Sequence, residues 1–127
     1  MATEHVLIAD PLEHACVSLS IILRRRGYFV TVVREGQQAL DTIVECEHTG
    51  RPVDLVLTNS QIAGLSGTEL ILRMQELGIL IPVLVMGDSC FPLKGVRREM
   101  VDIIEKPFMA DQLLEKVSKA LKIGSAE

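Results

Sequence analysis

Residues 53–67 read V-D-L-V-L-T-N-S-Q-I-A-G-L-S-G and place a short polar loop directly after an apolar run. Such a run of Val and Leu is typical of a parallel β-strand that is buried on both faces. In open α/β sheets the functional crevice lies outside the carboxyl ends of such strands. This loop, however, offers an amide at Asn59 and has no carboxylate before Glu69. The stretch predicts an α/β fold with a site-like loop that lacks an obvious reactive group.

The composition indicates one soluble globular domain. The chain has 127 residues, of which 48% are hydrophobic and 24% charged, so it is long enough to enclose a single core. A net charge of -4 provides no basic field for nucleic acid or an anionic membrane. The N-terminus M-A-T-E-H does not resemble a signal peptide, and no apolar run is long enough to span a bilayer. We therefore expect a cytoplasmic protein that binds neither nucleic acid nor membrane directly.

The cysteines and histidines are too scattered along the chain to predict a disulfide framework or a zinc site. They are Cys16, Cys46, Cys90, His5, His14 and His48.

Segments of strand length alternate with segments of helical periodicity. The predicted strands cover residues 5–9, 28–33, 53–58, 81–86 and 103–105. The predicted helices cover residues 12–26, 37–47, 68–77 and 109–122, with a short additional helix, the fourth in chain order, starting near Lys94. Right-handed crossovers place helices on both faces of such a sheet. We expect one domain over residues 1–127, with its core at about 5–122 and residues 123–127 as a tail or the start of a linker.

Parallel strands end at the same edge of a sheet, so their carboxyl ends form one candidate pocket. The residues at those ends are Ala9, Asp10, Asn59, Gly87, Asp88, Lys106 and Pro107.

With these strand ends the chain resembles a receiver domain of bacterial two-component response regulators, from about His5 to Lys122. The most specific pieces are D-L-V-L-T-N-S-Q-I-A-G-L-S-G-T-E-L and the later E-K-P-F. The resemblance implies a flavodoxin-like doubly wound sheet of five parallel strands. It also implies acidic residues that hold Mg²⁺ after the first strand, and an aspartate after the third that accepts a phosphoryl group from a histidine kinase. A Ser or Thr ends the fourth strand in this family, and a Lys-Pro pair, usually joined by a cis peptide bond, follows the fifth.

The match at the acidic positions is partial. Asp10 matches the second acidic residue, whereas Ala9 stands where the first would be, and Asn59 stands at the phosphoacceptor position. An amide oxygen is a poor nucleophile, and Mg²⁺ prefers carboxylate oxygens. We therefore expect a degenerate receiver, or pseudo-receiver, that is not an enzyme, is not phosphorylated at Asn59 and binds Mg²⁺ at Asp10 weakly or not at all.

The later strand ends are also altered. Gly87 replaces the hydroxyl residue and Ile103 replaces an aromatic residue, whereas Lys106 and Pro107 match the family. Because an unpaired buried ammonium is costly, we expect Lys106 to pair with Asp10 or Asp88.

A domain without this chemistry would signal through protein contacts. The expected partner is a histidine kinase, an effector domain or another signalling protein. In the family, the face formed by the fourth helix, fifth strand and fifth helix makes such contacts, and it could join two copies as a homodimer. The interface candidates on this face are Phe91, Leu93, Val96, Met100 and Ile103.

Two alternatives remain open. One is a phosphoaccepting receiver, with an aspartate at position 59 that arises by deamidation of Asn59 or is present in the natural sequence. The other is a flavodoxin-like module that binds a small ligand in the strand-end crevice, although A-D-P-L-E-H after the first strand contains no phosphate-binding glycine.

Overall fold

The computed structural model describes residues 3–62, 64–88, 92 and 94–125, and it confirms the predicted α/β fold. The strands are β1 (His5–Ala9), β2 (Phe29–Val33), β3 (Leu55–Asn59), β4 (Val83–Gly87) and β5 (Val101–Glu105). The helices are α1 (Glu13–Arg25), α2 (Gly36–Thr49), α3 (Gly67–Glu76) and α4 (Ala110–Ser125).

All five strands are parallel, in the order β2-β1-β3-β4-β5. The chain leaves β1 toward β2 on one side and then crosses to β3 on the other, so the topological switch lies between β1 and β3. In the register of these two strands Ala9 is opposite Thr58. The next residues, Asp10 and Asn59, are therefore brought to the same edge of the sheet.

The sheet separates two apolar clusters, because alternate residues of each strand face opposite sides. Along β1, Leu7 and Ala9 belong to the cluster under α2 and α3, while Val6 and Ile8 belong to the cluster under α1 and α4. Every residue of β1 is buried, which explains why this strand reads as a continuous apolar run. Among the described residues, no helix has the length and apolarity needed to cross a membrane.

The segment between β4 and β5 departs from the prediction. The helix expected to start near Lys94 is wrong: residues 94 and 95 form a turn, and the helical segment among the described residues between β4 and β5 is a short 3₁₀ helix, Arg98–Met100. Gly95 has a φ of 80°, a left-handed conformation that an α-helix does not continue through. Two side chains of α3 also hold this segment, which we call the α3-bound connection (residues 92 and 94–97).

The α3-bound connection is fixed by hydrogen bonds to its backbone. Gln75 donates from Nε2 to the carbonyl of Gly95 at 3.1 Å and accepts the N–H of Arg97 at 2.6 Å. The hydroxyl of Thr68 donates to the carbonyl of Pro92 at 3.0 Å. These bonds satisfy backbone groups that a helix would otherwise satisfy internally.

The end of the chain also differs slightly from the prediction. Helix α4 continues to Ser125, so the tail expected at residues 123–127 is helical over its first three residues. Residues 126 and 127 lie outside the described residues.

Candidate functional site

The pocket at the strand ends is closed by a hydrogen bond between two buried polar side chains. Asp10 is 1% exposed and Asn59 is 7% exposed. The side-chain Nδ2 of Asn59 donates to Oδ2 of Asp10 at 3.2 Å. A buried carboxylate needs hydrogen-bond donors to offset the loss of water, and here an amide supplies one of them.

The other oxygens of this pair are also satisfied, each by a backbone N–H two residues further on. Leu12 donates its N–H to Oδ1 of Asp10 at 2.9 Å, and Gln61 donates its N–H to Oδ1 of Asn59 at 3.1 Å. These local bonds are the turns that Asp and Asn commonly make at loop starts. Because Asn59 accepts through Oδ1 and donates through Nδ2, an aspartate in the same geometry would lose the donor.

Neighbouring backbone and thiol groups complete the wall of the pocket. The N–H of Ser60 donates to the carbonyl of Met86 at 2.9 Å, and the N–H of Lys106 donates to the carbonyl of Gly87 at 3.1 Å. The thiol of Cys16 donates to the carbonyl of Asp10 at 3.3 Å. Burial, followed by the nearby Asp10 carboxylate, raises the pKa of the Cys16 thiol, which favours its protonated form at neutral pH.

Gly87 lies against Ser60 more closely than any side chain at position 87 would permit. A Cβ at this position would lie 2.7 Å from Oγ and 2.9 Å from Cβ of Ser60. Both distances are shorter than real Cβ contacts. The Ser or Thr that ends the fourth strand in receivers is therefore absent here, and Ser60 occupies the space that its side chain would need.

The residues present do not fit a magnesium ion. Both Asp10 oxygens already accept hydrogen bonds, and neither sequence neighbour of Asp10 carries a carboxylate. Ala9 is buried in the apolar cluster under α2 and α3, and the half-buried Pro11 offers only its carbonyl, which accepts two hydrogen bonds from Arg34. Within the described residues no group of three His, Cys, Asp or Glu could hold a metal ion. Mg²⁺ prefers several oxygen ligands with charge, which this pocket does not assemble.

Lys106 and Pro107 directly follow β5, and the peptide bond between them is cis, as the resemblance implies. Among the described residues no direct ion pair joins Lys106 to Asp10, and the pairing of Lys106 with Asp88 stays a prediction. Both Lys106 and Asp88 are exposed, so the burial that motivated the expected pairing is not observed. An exposed ammonium keeps its water, which removes the reason for pairing it.

Three of the five interface candidates can be placed. Val96 is only 8% exposed and belongs to the cluster under α2 and α3, so its assignment to an exposed interface is wrong. Met100 and Ile103 are half-buried. Phe91 and Leu93 lie outside the described residues.

Sequence reasoning missed Ser60, although it borders the pocket. The available signal was the coincidence of a small polar residue directly after β3 with a glycine at the end of β4. Such a pair fits two strand ends that approach closely, but nothing in the sequence alone gives the distance between them.

Comparison with known proteins agrees with the geometry. The model of the response regulator receiver domain family matches residues 6–118. The chain is 30% identical over 125 residues to YkoG of Bacillus subtilis, an uncharacterized transcriptional regulatory protein, covering 96% of this chain and 53% of YkoG. It is 28% identical over 121 residues to the transcriptional regulatory protein FixJ of Bradyrhizobium diazoefficiens, covering 93% of this chain and 57% of FixJ. The chain thus spans about half the length of these curated relatives.

Solved structures show the same fold. The crystal structure of FixJ-N has a TM-score of 0.80 at 26% identity and covers 96% of each chain. The signal receiver domain of an HD-domain-containing protein from Pseudomonas fluorescens Pf-5 has a TM-score of 0.83 at 22% identity, covering 99% of this chain and 100% of that one. With the family model matched over most of its length, this chain belongs to the response regulator receiver domain family.

Proposed function

We propose that this receiver domain signals through protein–protein contacts without phosphorylation at position 59. The observation that carries the proposal is the hydrogen bond from Asn59 to Asp10. In this bond the Asn59 amide and the buried Asp10 carboxylate are each other's partners. Receiver chemistry would require two anionic groups and a metal ion at the same place.

The chemistry of the pocket supports this reading. The amide of Asn59 is neutral and its oxygen is held by the N–H of Gln61, so it cannot act as an efficient nucleophile toward phosphorus. Gly87 has no hydroxyl for a phosphoryl oxygen. Asp10 is the carboxylate that remains at the end of the first strand. Apart from the Lys106 ammonium, few groups here would offset the negative charge of a phosphoryl group.

The deamidation alternative is opposed by the backbone of the loop. Deamidation begins when the backbone nitrogen of Ser60 attacks the side-chain carbonyl carbon of Asn59. That nitrogen donates its hydrogen to Met86, and both polar atoms of the Asn59 side chain are hydrogen-bonded. The ring-forming geometry would require all three bonds to break. We therefore propose that Asn59 persists as an amide.

The hydrogen-bonded pair of Asp10 and Asn59 also argues against the ligand-binding alternative. The crevice between the ends of β1 and β3 is filled by the Asp10 and Asn59 side chains, which bond each other and the adjacent backbone. A small ligand would have to displace these bonds and replace each of them.

The partner in this proposal is a protein: a histidine kinase, an effector domain or another signalling protein. FixJ and YkoG are described as transcriptional regulatory proteins and are about twice as long as this chain. By analogy, this domain would act on such a partner in the cytoplasm as a non-enzymatic module, and a homodimer through the β5–α4 face is one form it could take.

The test is incubation with acetyl phosphate and Mg²⁺, followed by intact-mass analysis and peptide mapping, with a phosphoaccepting receiver treated in parallel. We expect the parallel receiver to gain the mass of a phosphoryl group and this protein to remain unmodified. A phosphoryl adduct that maps to Asn59 in protein with an intact amide would overturn the proposal. An adduct confined to deamidated molecules would instead support the phosphoaccepting alternative.

A further inference from the structure

We infer that Ser60 and Gly87 form a mutually exclusive pair, in which the side chain of Ser60 prevents position 87 from carrying any side chain. Ser60 thus acts as a positioning residue that keeps the strand-end pocket in its phosphorylation-independent form. This inference rests on the proposed function for its signalling meaning, but its steric part stands on the distances alone.

Gly87 is not required by its backbone conformation. The glycines with positive φ among the described residues are Gly27, Gly50, Gly64, Gly78 and Gly95, and Gly87 is not one of them. It lies in β4, paired with Glu105 of β5, where any residue could adopt the backbone angles. The demand for glycine therefore comes from space.

The space is occupied by Ser60. A Cβ on Gly87 would approach Oγ of Ser60 to 2.7 Å and its Cβ to 2.9 Å. Rotation about the side-chain bond could move Oγ away, but Cβ is fixed by the backbone. A clash with Cβ can be relieved only if one of the two strand ends moves.

The backbone of Ser60 is held on both sides. Its N–H donates to the carbonyl of Met86 at 2.9 Å, directly before Gly87, and its carbonyl accepts the N–H of Gly67 at 3.4 Å. The carbonyl of Gly87 in turn accepts the N–H of Lys106. These bonds tie the loop after β3 to β4 and α3, and tie β4 to the residue after β5. Neither strand end can retreat without breaking one of them.

It follows that the pocket can carry a hydroxyl side chain at position 60 or a hydroxyl side chain at position 87, but not both. In this chain the hydroxyl is on the β3 loop, beside Asn59. Restoring a Ser or Thr at position 87 would therefore fail unless Ser60 is shortened first.

The steric part is tested by a thermal double-mutant cycle. We expect Gly87→Ala to lower the melting temperature by roughly 5 °C or more, because overpacking a fixed site is destabilising. Ser60→Gly should restore most of this loss in the double variant, once its own effect is subtracted. Ser60→Ala, which removes Oγ and keeps Cβ, should restore only part of it. An unchanged melting temperature for Gly87→Ala, or strictly additive effects, would overturn the pair.

The functional part is tested in a chain that carries Asn59→Asp and Pro11→Asp. Pro11 is chosen instead of Ala9, the position that the resemblance gives to the missing acidic residue, because Ala9 is enclosed by apolar side chains and Pro11 is half-buried beside Asp10. Gly87→Thr is then added with and without Ser60→Gly, and each variant is treated with acetyl phosphate and Mg²⁺. We expect phosphoryl incorporation to be about tenfold higher, or more, in the variant that includes Ser60→Gly, since the reacting groups act as one unit.

The outcomes separate the inference from the proposed function. Equal incorporation with and without Ser60→Gly, including none in either variant, would overturn the role of Ser60 in blocking the site. Incorporation on the unmodified protein would overturn the proposed function, and the thermal cycle would still decide whether the two positions exclude each other.

Discussion

Asn59 and Asp10 lie 49 residues apart in the chain, and their side chains join the ends of β3 and β1 through one buried hydrogen bond of 3.2 Å. The amide donates and the carboxylate accepts, so the two groups are complementary without a metal ion. In a phosphoaccepting receiver both groups would be carboxylates, which repel at this distance unless a cation lies between them. The amide at position 59 thus serves the stability of the pocket.

The first prediction concerns Asn59→Asp. We expect this change to destabilise the protein at neutral pH, because it places two carboxylates about 3 Å apart in a buried site. The loss should diminish at mildly acidic pH, where the pair shares a proton, since a pair that binds a proton more readily when folded gains stability as pH falls. Urea denaturation of the variant and the parent at several pH values measures both effects.

Asn59→Ala is the matched control for that variant. It removes the donor without adding a charge, so we expect a cost of about 1–3 kcal/mol from the unsatisfied Asp10 oxygen, with little added dependence on pH. The electrostatic explanation would be wrong if the difference between the Asp and Ala variants stayed constant across the pH range. Millimolar Mg²⁺ should stabilise the Asp variant and leave the Ala variant unchanged.

The second prediction concerns the reactivity of Cys16. Burial and the Asp10 carboxylate raise the pKa of its thiol, so its thiolate fraction at neutral or slightly alkaline pH is below that of an exposed cysteine. We expect iodoacetamide to modify Cys16 slowly in the folded protein and rapidly in urea. Peptide mapping over time gives both rates, and half-buried Cys46 provides an internal comparison. Rapid modification of Cys16 in folded protein would contradict the buried thiol.

The third prediction concerns Gln75, which holds the α3-bound connection through two hydrogen bonds. We expect Gln75→Ala to accelerate hydrogen exchange at the Arg97 amide by about tenfold or more, since the amide loses its acceptor. Gln75→Glu keeps an acceptor for Arg97 but loses the donor to Gly95, so its effect should be smaller. Equal exchange at Arg97 in the parent and both variants would show that the connection is held by other contacts.

The fourth prediction concerns the start of α3, where the loop after β3 ends. The hydroxyl of Ser66 accepts the N–H of Glu69 at 3.2 Å, and the carboxylate of Glu69 accepts the N–H of Ser66 at 3.1 Å. This reciprocal capping box satisfies two N–H groups that the helix cannot satisfy itself. Ser66→Ala should cost about 1 kcal/mol of unfolding free energy, and Ser66→Asp should retain most of the stability. Equal denaturation midpoints for the Ala and Asp variants would contradict the cap.

Much of the fold could be predicted from the sequence because its signals are local. The apolar runs at residues 5–9 and 53–58 each predict a parallel strand buried on both faces, and β1 and β3 lie there. The segment after β4 could not be predicted in this way. Its helical propensity near Lys94 is overridden by the left-handed Gly95 and by Gln75, whose hydrogen bonds come from an element 20 residues or more away.

The sequence predicted most residues of the candidate site, but fewer of the contacts between them. Topology alone brings Asp10 and Asn59 together, because parallel strands end at one edge. Which donor meets the Asp10 carboxylate depends on side-chain reach and exposure, and here a buried amide lies closer than the exposed Lys106 ammonium. The contact between Ser60 and Gly87 depends on the spacing of two strand ends, which no residue pattern specifies.

The backbone carbonyl of Asp10 also accepts a hydrogen bond from the thiol of Cys16 in α1, while the loop after Asn59 is bonded to the start of α3 through the backbone of Ser60 and Gly67. The two strand ends that carry the buried pair are therefore bonded to α1 on one side of the sheet and to α3 on the other. The Asp10 side chain has a structural role of its own, because it accepts hydrogen bonds from the amide of Asn59 and from the N–H of Leu12. An acidic residue after the first strand of a receiver-like sequence is, for this reason, no sign by itself that the domain accepts a phosphoryl group.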